Sequence, residues 1–269
     1  MREFCAALVR ANRLCMRDGK MEYKKGLAIF IDILGTKESD FNNLYNINKI
    51  FHKELISLKN RQRLCKKFVT SFSDCAYIMY ISDEINKENN LFSHIFIQDS
   101  LIDLSYTIST ILVNGFLCRG GIYYGELYFE EENNILFGPA INEAYKLEKN
   151  DTMPRIIIDD KLGKDFYEKE TEYNKNNYQK IIRKDTFDNS FYLNYLNVFS
   201  QFDYLDIDDG LFNDKIKFGE NEYNFDEYYN ILLNNSYNVI KEKNDHNIIA
   251  KHKWQIKYLK QHYKERINN

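Results

Sequence analysis

The chain reads as a sheet with helices packed on it, α+β or α/β in class, on three observations. The stretch from Leu27 to Leu34 is apolar at every position but Asp32, the signature of a strand buried on both faces. Apolar runs of strand length alternate with stretches of helical spacing in the order β-α-β-β-α-β-β-α-β, followed by more strand and a helical tail. Pro occurs only twice in 269 residues, which suits long helices and regular strands.

Taken in order, the first strand spans 27–36 and ends at Gly35, with Thr36 able to cap the helix that follows. Apolar residues at Phe41, Leu44, Ile47, Ile50, Phe51, Leu55 and Leu58 predict a helix over 39–60. Residues 68–80 read as two strands whose hairpin tip is Ser73-Asp74, and a loop begins at Ser82-Asp83. A long apolar helix covers 91–113 and stops at Asn114-Gly115. An aromatic-rich strand runs over 116–129, with an acidic turn at 130–134 and a short strand at 135–137. Gly138-Pro139 opens a helix over 140–149, with Pro at a permitted early position. A strand at 155–158, a short helix at 162–167, a strand at Ile181-Ile182 and a last strand over 191–199 are expected next. Residues 205–219 read as an acidic loop, and 225–267 as two helices joined near Asn244-Asp245.

The net charge of -3 gives no global basic field, which argues against nucleic acid as partner. Hydrophobic content of 44% excludes a disordered chain. The apolar run from Phe4 to Val9 is too short for a signal core, and no stretch approaches a membrane span. The five cysteines form no CxxC pair, so they read as reduced thiols in the cytoplasm, with Cys65, Cys75 and Cys118 as small hydrophobes.

Asp32 carries the first chemical signal. An ionised carboxylate inside a buried strand is costly unless it is paired or binds a metal. The hairpin carrying Asp74 would lie beside this strand, placing both carboxylates at one end of the sheet. Two such Asp residues can share two divalent cations, and hard oxygen ligands suit Mg²⁺ or Mn²⁺. The backbone carbonyl of Ile33 is a further ligand candidate. Gly35 and Thr36, placed at a helix start, would hold phosphates through their N–H groups.

Four segments then resemble the class III nucleotide cyclases. Phe30-Ile31-Asp32-Ile33-Leu34-Gly35 is similar to that family's F-x-D-I-x-G segment, and Ser73-Asp74 to its second metal Asp, usually preceded by Gly. Arg119-Gly120-Gly121-Ile122-Tyr123-Tyr124-Gly125 resembles its R-x-G-I-x-x-G strand, and residues 137–148 its G-x-x-V-N-x-A-x-R-L-E helix. The resemblance implies an α+β, ferredoxin-like palm sheet with packed helices and a C-terminal helical tail. It implies an N-terminal arm over 1–22, a catalytic domain over 23–200, and an acidic loop with helical extension over 201–269. It makes Asp32, Ile33 and Asp74 metal ligands for two cations. Asn142 falls where the family orients the ribose, and Lys146 stands where it has an Arg at the α-phosphate. Lys keeps the charge and loses the bidentate fork.

At the two base-reading positions the chain carries Thr70 and Ile135, neither of which offers a purine a specific partner. Together with Phe137-Gly138-Pro139-Ala140-Ile141-Asn142 and the tail at Lys251-His252-Lys253-Trp254, this is more similar to the pyrimidine cyclases of bacterial Pycsar anti-phage systems. That resemblance implies a homodimer with two composite sites, a preference for Mn²⁺, UTP or CTP as substrate, and a cyclic UMP or cyclic CMP product that activates an effector. A degenerate cyclase domain kept as a dimeric binding module is the alternative, favoured by Lys146. A diguanylate cyclase is disfavoured by the lack of a GG[DE][DE]F turn. Arg119 reads as a salt bridge within the sheet, and His252, His262, Trp254 and Tyr258 as packing residues.

Overall fold

The computed structural model describes residues 22–36, 40–61, 65–81, 90–174, 176–202 and 215–268. The strands are β1 (Lys24–Ile33), β2 (Lys66–Phe72), β3 (Cys75–Ile81), β4 (Cys118–Glu130), β5 (Ile135–Phe137), β6 (Ile156–Ile158), β7 (Ile182–Lys184), β8 (Phe191–Leu193), β9 (Ile216–Phe218) and β10 (Asn221–Tyr223). The helices are α1 (Phe41–Asn60), α2 (Asn90–Val113), α3 (Pro139–Asn150), α4 (Asp160–Tyr173), α5 (Val198–Phe202), α6 (Phe225–Glu242) and α7 (His246–Ile267). The class is α+β with C-terminal helices. Among the described residues eight strands form one sheet in the order β2-β3-β1-β4-β6-β8-β7, with β5 paired to β4. Every pairing is antiparallel except β4 with β6. β9 and β10 form a separate hairpin.

β1 is central because it can be buried on both faces. Leu27, Ile29, Ile31 and Ile33 point to one side, into a large core with Phe51 and Leu55 of α1 and Leu101 and Leu104 of α2. Ala28 and Phe30 point to the other, into a small core made with Met79, Leu127 and the inner face of α3. The period of two along a strand therefore sorts the chain. Asp32 continues the even series and lies on the α3 side.

α3 reaches that side by sitting on bare backbone. A Cβ at Gly121 would lie 2.1 Å from the Ala144 carbonyl and 2.7 Å from Leu147 Cβ. Only glycine permits that approach. α2 is polar where it is most buried, with Ser100, Ser105 and Thr110 returning their hydroxyls to the carbonyls of Phe96, Leu101 and Tyr106. Asp103 is fully buried and held by Arg61 Nε at 2.7 Å, Lys67 Nζ at 2.5 Å and the Tyr80 hydroxyl at 2.9 Å. Burial would raise its carboxyl, but Arg61 and Lys67 overcome that and hold it below the usual value.

Several boundaries differ from the sequence reading. The helix expected over 162–167 runs from Asp160 to Tyr173, because Asp159 caps it and Glu170 is drawn in to accept from the N–H groups of Ile181 and Ile182. The strand expected over 191–199 ends at Leu193. Asn194 turns the chain there, its amide donating to the carbonyls of Tyr178 and Lys180, and a 3₁₀ turn and α5 follow. The end of the expected acidic loop is β9, which pairs with β10 across a turn at Gly219, φ +65°, while 205–214 lie outside the described residues. The loop at Ser82-Asp83, the N-terminal arm up to residue 21, and Cys5 and Cys15 lie outside the described residues. Among the described residues no helix is long and apolar enough to cross a membrane.

The two C-terminal helices form as expected, with an Asn224–Glu227 capping box at the start of α6 and Asp245 capping α7. Tyr228, Leu232, Tyr258 and Leu259 join the same core as β1. Trp254 and Tyr258 stack at 5.6 Å and pack there too. His252 meets Ser236 of α6 at 3.3 Å, and His262 meets the Tyr178 carbonyl at 3.1 Å. Burial and Lys251 push His252 from 6.5 down to about 4, and burial holds His262 well below its ordinary value. The unfolded chain therefore binds protons that the folded chain refuses. The stability is present above about pH 6.5 and is lost as pH falls toward 4, with His252 contributing on the order of 2 kcal/mol. Thermal unfolding at pH 7.5 and pH 5 should show a fall that shrinks in His252→Phe. An unchanged fall would refute this account.

Candidate active site

The end of β1 gathers most of the residues singled out above. Asp32 is paired in register with Cys75 of β3 on one side and Arg119 of β4 on the other. Asp74 sits at the tip of the β2–β3 hairpin, tied to β1 by the bond from the Ile33 N–H to its own carbonyl at 2.9 Å. The tip is made by Ser73 at φ +54°, a left-handed conformation that favours Gly. Thr36 is buried and its hydroxyl donates to Asp74 Oδ2. Gly35 adopts φ +91°, with open space where a side chain would stand. A residue without a Cβ makes that turn cheaply.

Thr36 is not the cap of α1. Asp40 is, accepting from Asn43 N at 2.9 Å, and α1 starts at Phe41. The expectation of Thr36 as the cap of that helix is therefore corrected. Thr36 lies before the cap, in a 3₁₀ turn, and its hydroxyl is donated to Asp74.

Two carboxylates and a strand-end carbonyl are hard oxygen donors, which fit Mg²⁺ or Mn²⁺ in kind. Among the described residues no three His, Cys, Asp or Glu side chains form a metal-holding group. Asp32, Asp74 and Ile33 would leave several coordination positions to phosphate or water, as Mg²⁺ sites ordinarily do.

Arg119 and Glu148 stand beside these carboxylates. Arg119 Nη2 stands 3.4 Å from Asp32 Oδ2, and its Nε stands 2.5 Å from Glu148 Oε1 on the inner face of α3. The second contact is an ion pair without hydrogen-bond alignment. Arg119 Nη1 also donates to the Asp151 carbonyl at 3.4 Å, at the C-terminal end of α3. Burial raises the Glu148 carboxyl, opposed by Arg119 and reinforced by Asp32. Burial, then Asp32 and Asp74, raise the Cys75 thiol, so it stays protonated beside the carboxylates. The salt bridge expected of Arg119 exists, and it ends on the candidate metal ligand. No local pattern could announce it, since Asp32 and Arg119 are 87 residues apart.

Asn142 and Lys146 are not brought to Asp32. Ala140, Ile141, Ala144 and Glu148 form the buried face of α3, whereas Asn142 and Lys146, one turn apart, lie on the exposed face. Lys146 Nζ pairs with Glu143 at 2.6 Å in solvent. Thr70 is on the same sheet face as Asp32, in register with Tyr77, whose ring meets Phe30 at 4.7 Å. Tyr145 of α3 meets the same Phe30 ring at 5.4 Å. Ile135 is 43% exposed on β5, opposite Glu130 and away from the carboxylates.

No protein-family description matches the chain, and no curated protein matches it in sequence. Among solved structures it is similar to a monomeric guanylyl cyclase domain of the RhoGC fusion protein from the aquatic fungus Blastocladiella emersonii. That match has 14% identity and a TM-score of 0.41, covering 64% of this chain and 94% of that one. A dimeric form of that domain gives 13% identity and a TM-score of 0.40 over 64% and 93% of the two chains. A bacterial light-regulated adenylyl cyclase gives 14% and 0.37 over 67% and 95%.

Proposed function

We propose that the chain is a metal-dependent nucleotide cyclase that makes a 3′,5′-cyclic pyrimidine nucleotide from the triphosphate with release of pyrophosphate. The observation that carries this reading is the convergence of Asp32, Asp74, Gly35 and Thr36 at one end of the sheet. Divalent cations, when bound, supply charge for the triphosphate and lower the pKa of the attacking 3′-hydroxyl. Asp32, Asp74 and the Ile33 carbonyl hold them. Gly35 has no Cβ to hold the phosphates away from the turn. Asn142 orients the ribose and Lys146 stabilises charge at the α-phosphate. Both stand on the outer face of α3, so they serve the Asp pair of a second copy in a two-fold dimer.

Thr70, on the sheet face of Asp32, offers a purine little, and Ile135 at the other position that the resemblance assigns to the base offers it no polar group, which is the ground for UTP over ATP or GTP, with CTP second. Cyclic UMP as a messenger in cytoplasmic anti-phage defence, acting on a separate effector, follows from the resemblance to the Pycsar group. A second reading, a dimeric nucleotide-binding module without turnover, is favoured by Lys146, which is engaged by Glu143 and lacks the fork of Arg.

Incubation of the purified protein with Mn²⁺ and each of ATP, GTP, CTP and UTP, with mass-spectrometric product identification, separates these. A cyclic pyrimidine product is expected. A cyclic purine would discard the specificity argument, and binding without product would favour the module.

A further inference from the structure

Arg119 stands directly across from Asp32 on the neighbouring strand, yet its closest approach is to Glu148, 2.5 Å against 3.4 Å. Two features of α3 draw it there. One is the Glu148 carboxylate, whose side chain is 4% exposed and which in that setting needs a cation. The other is the Asp151 carbonyl at the negative end of the helix. We propose that Glu148 is a positioning residue: it holds the Arg119 guanidinium back from Asp32 and so sets how tightly Asp32 and Asp74 bind a divalent cation. This rests on the reading of Asp32 as a cation ligand.

The reasoning is Coulombic. A cation arriving at Asp32 meets the positive charge of Arg119 at short range, and the repulsion falls as that charge is drawn away. With Glu148 in place, Arg119 is neutralised from the α3 side and spans both carboxylates. Without it, Asp32 is the nearest carboxylate left to Arg119, and the guanidinium becomes a direct competitor of the cation. A merely structural salt bridge predicts something different: loss of stability on breaking it, with no selective effect on cation affinity and no recovery when its other half is also removed.

Mn²⁺ alone, titrated into the full chain with free Mn²⁺ followed by electron paramagnetic resonance, tests this without turnover. Glu148→Gln is expected to bind about tenfold more weakly than the wild type, the effect of one partly screened charge moved by a few ångströms. The double variant Arg119→Gln/Glu148→Gln is expected to return to wild-type affinity or better, and it also answers the objection that Glu148→Gln merely misfolds. Asp32→Asn separates the two levels of the claim. If the wild type takes up no Mn²⁺, or Asp32→Asn leaves uptake unchanged, Asp32 is not the ligand and both fail. If Asp32→Asn removes uptake while the Glu148 and double variants match the wild type, the positioning role alone is overturned.

Discussion

Replacing Asp32 with Ala is expected to lower cyclic-nucleotide formation by a factor of about a thousand or more, the scale on which losing a transition-state charge centre acts. The side chain is 22% exposed at the end of β1, beyond the fully buried run Leu27–Ile29, so its removal opens no large cavity. Arg119 keeps Glu148 as a partner in the variant, so no buried cation is stranded. The thermal transition should therefore stay close to that of the wild type while activity disappears. Activity within tenfold of the wild type, from protein shown to be folded, would end the case for Asp32 as a metal ligand.

The second large effect is a rescue. Asn142 and Lys146 lie on the face of α3 turned away from Asp32 and Asp74. A site needing all four must draw them from two copies. Asp32→Ala and Lys146→Ala proteins should each be nearly inactive alone. Mixed and allowed to exchange subunits, they should regain about a quarter of wild-type activity, because half of the dimers are mixed and each holds one intact site of two. No recovery, with exchange of labelled subunits demonstrated, would place the whole site in one copy and overturn the composite arrangement.

The parts of this molecule that could be read from sequence are those whose causes are local. β1 shows itself because burial on both faces demands an unbroken apolar run, and Asp32 stands out as the one violation. Ser73-Asp74 is legible as a hairpin tip, and α6 and α7 as helices with a break at Asn244-Asp245. The boundaries in the region from 160 to 202 are not legible, because what decides them is distant. α4 extends because Glu170 finds the N–H groups of Ile181 and Ile182, and β8 stops because Asn194 finds the carbonyls of Tyr178 and Lys180. For the site, residue types could be named but not their grouping. Thr36 has the chemistry of a helix cap, and only the folded hairpin shows Asp74 taking its hydroxyl. The Asp32–Arg119–Glu148 line is a product of sheet register and of a helix seated on Gly121.

That seat gives α3 an unusual standing. Its inner side touches Arg119 beside the carboxylates of its own copy, and its outer side carries the residues assigned to the other copy's nucleotide. Resting on backbone with no side chain between, the helix has little slack to absorb a displacement on one side without passing it to the other. In a two-fold assembly each such helix would be a shared wall. Cation loading in one chamber and nucleotide grip in the next would then be linked quantities, and the pair would respond to ligand as one body.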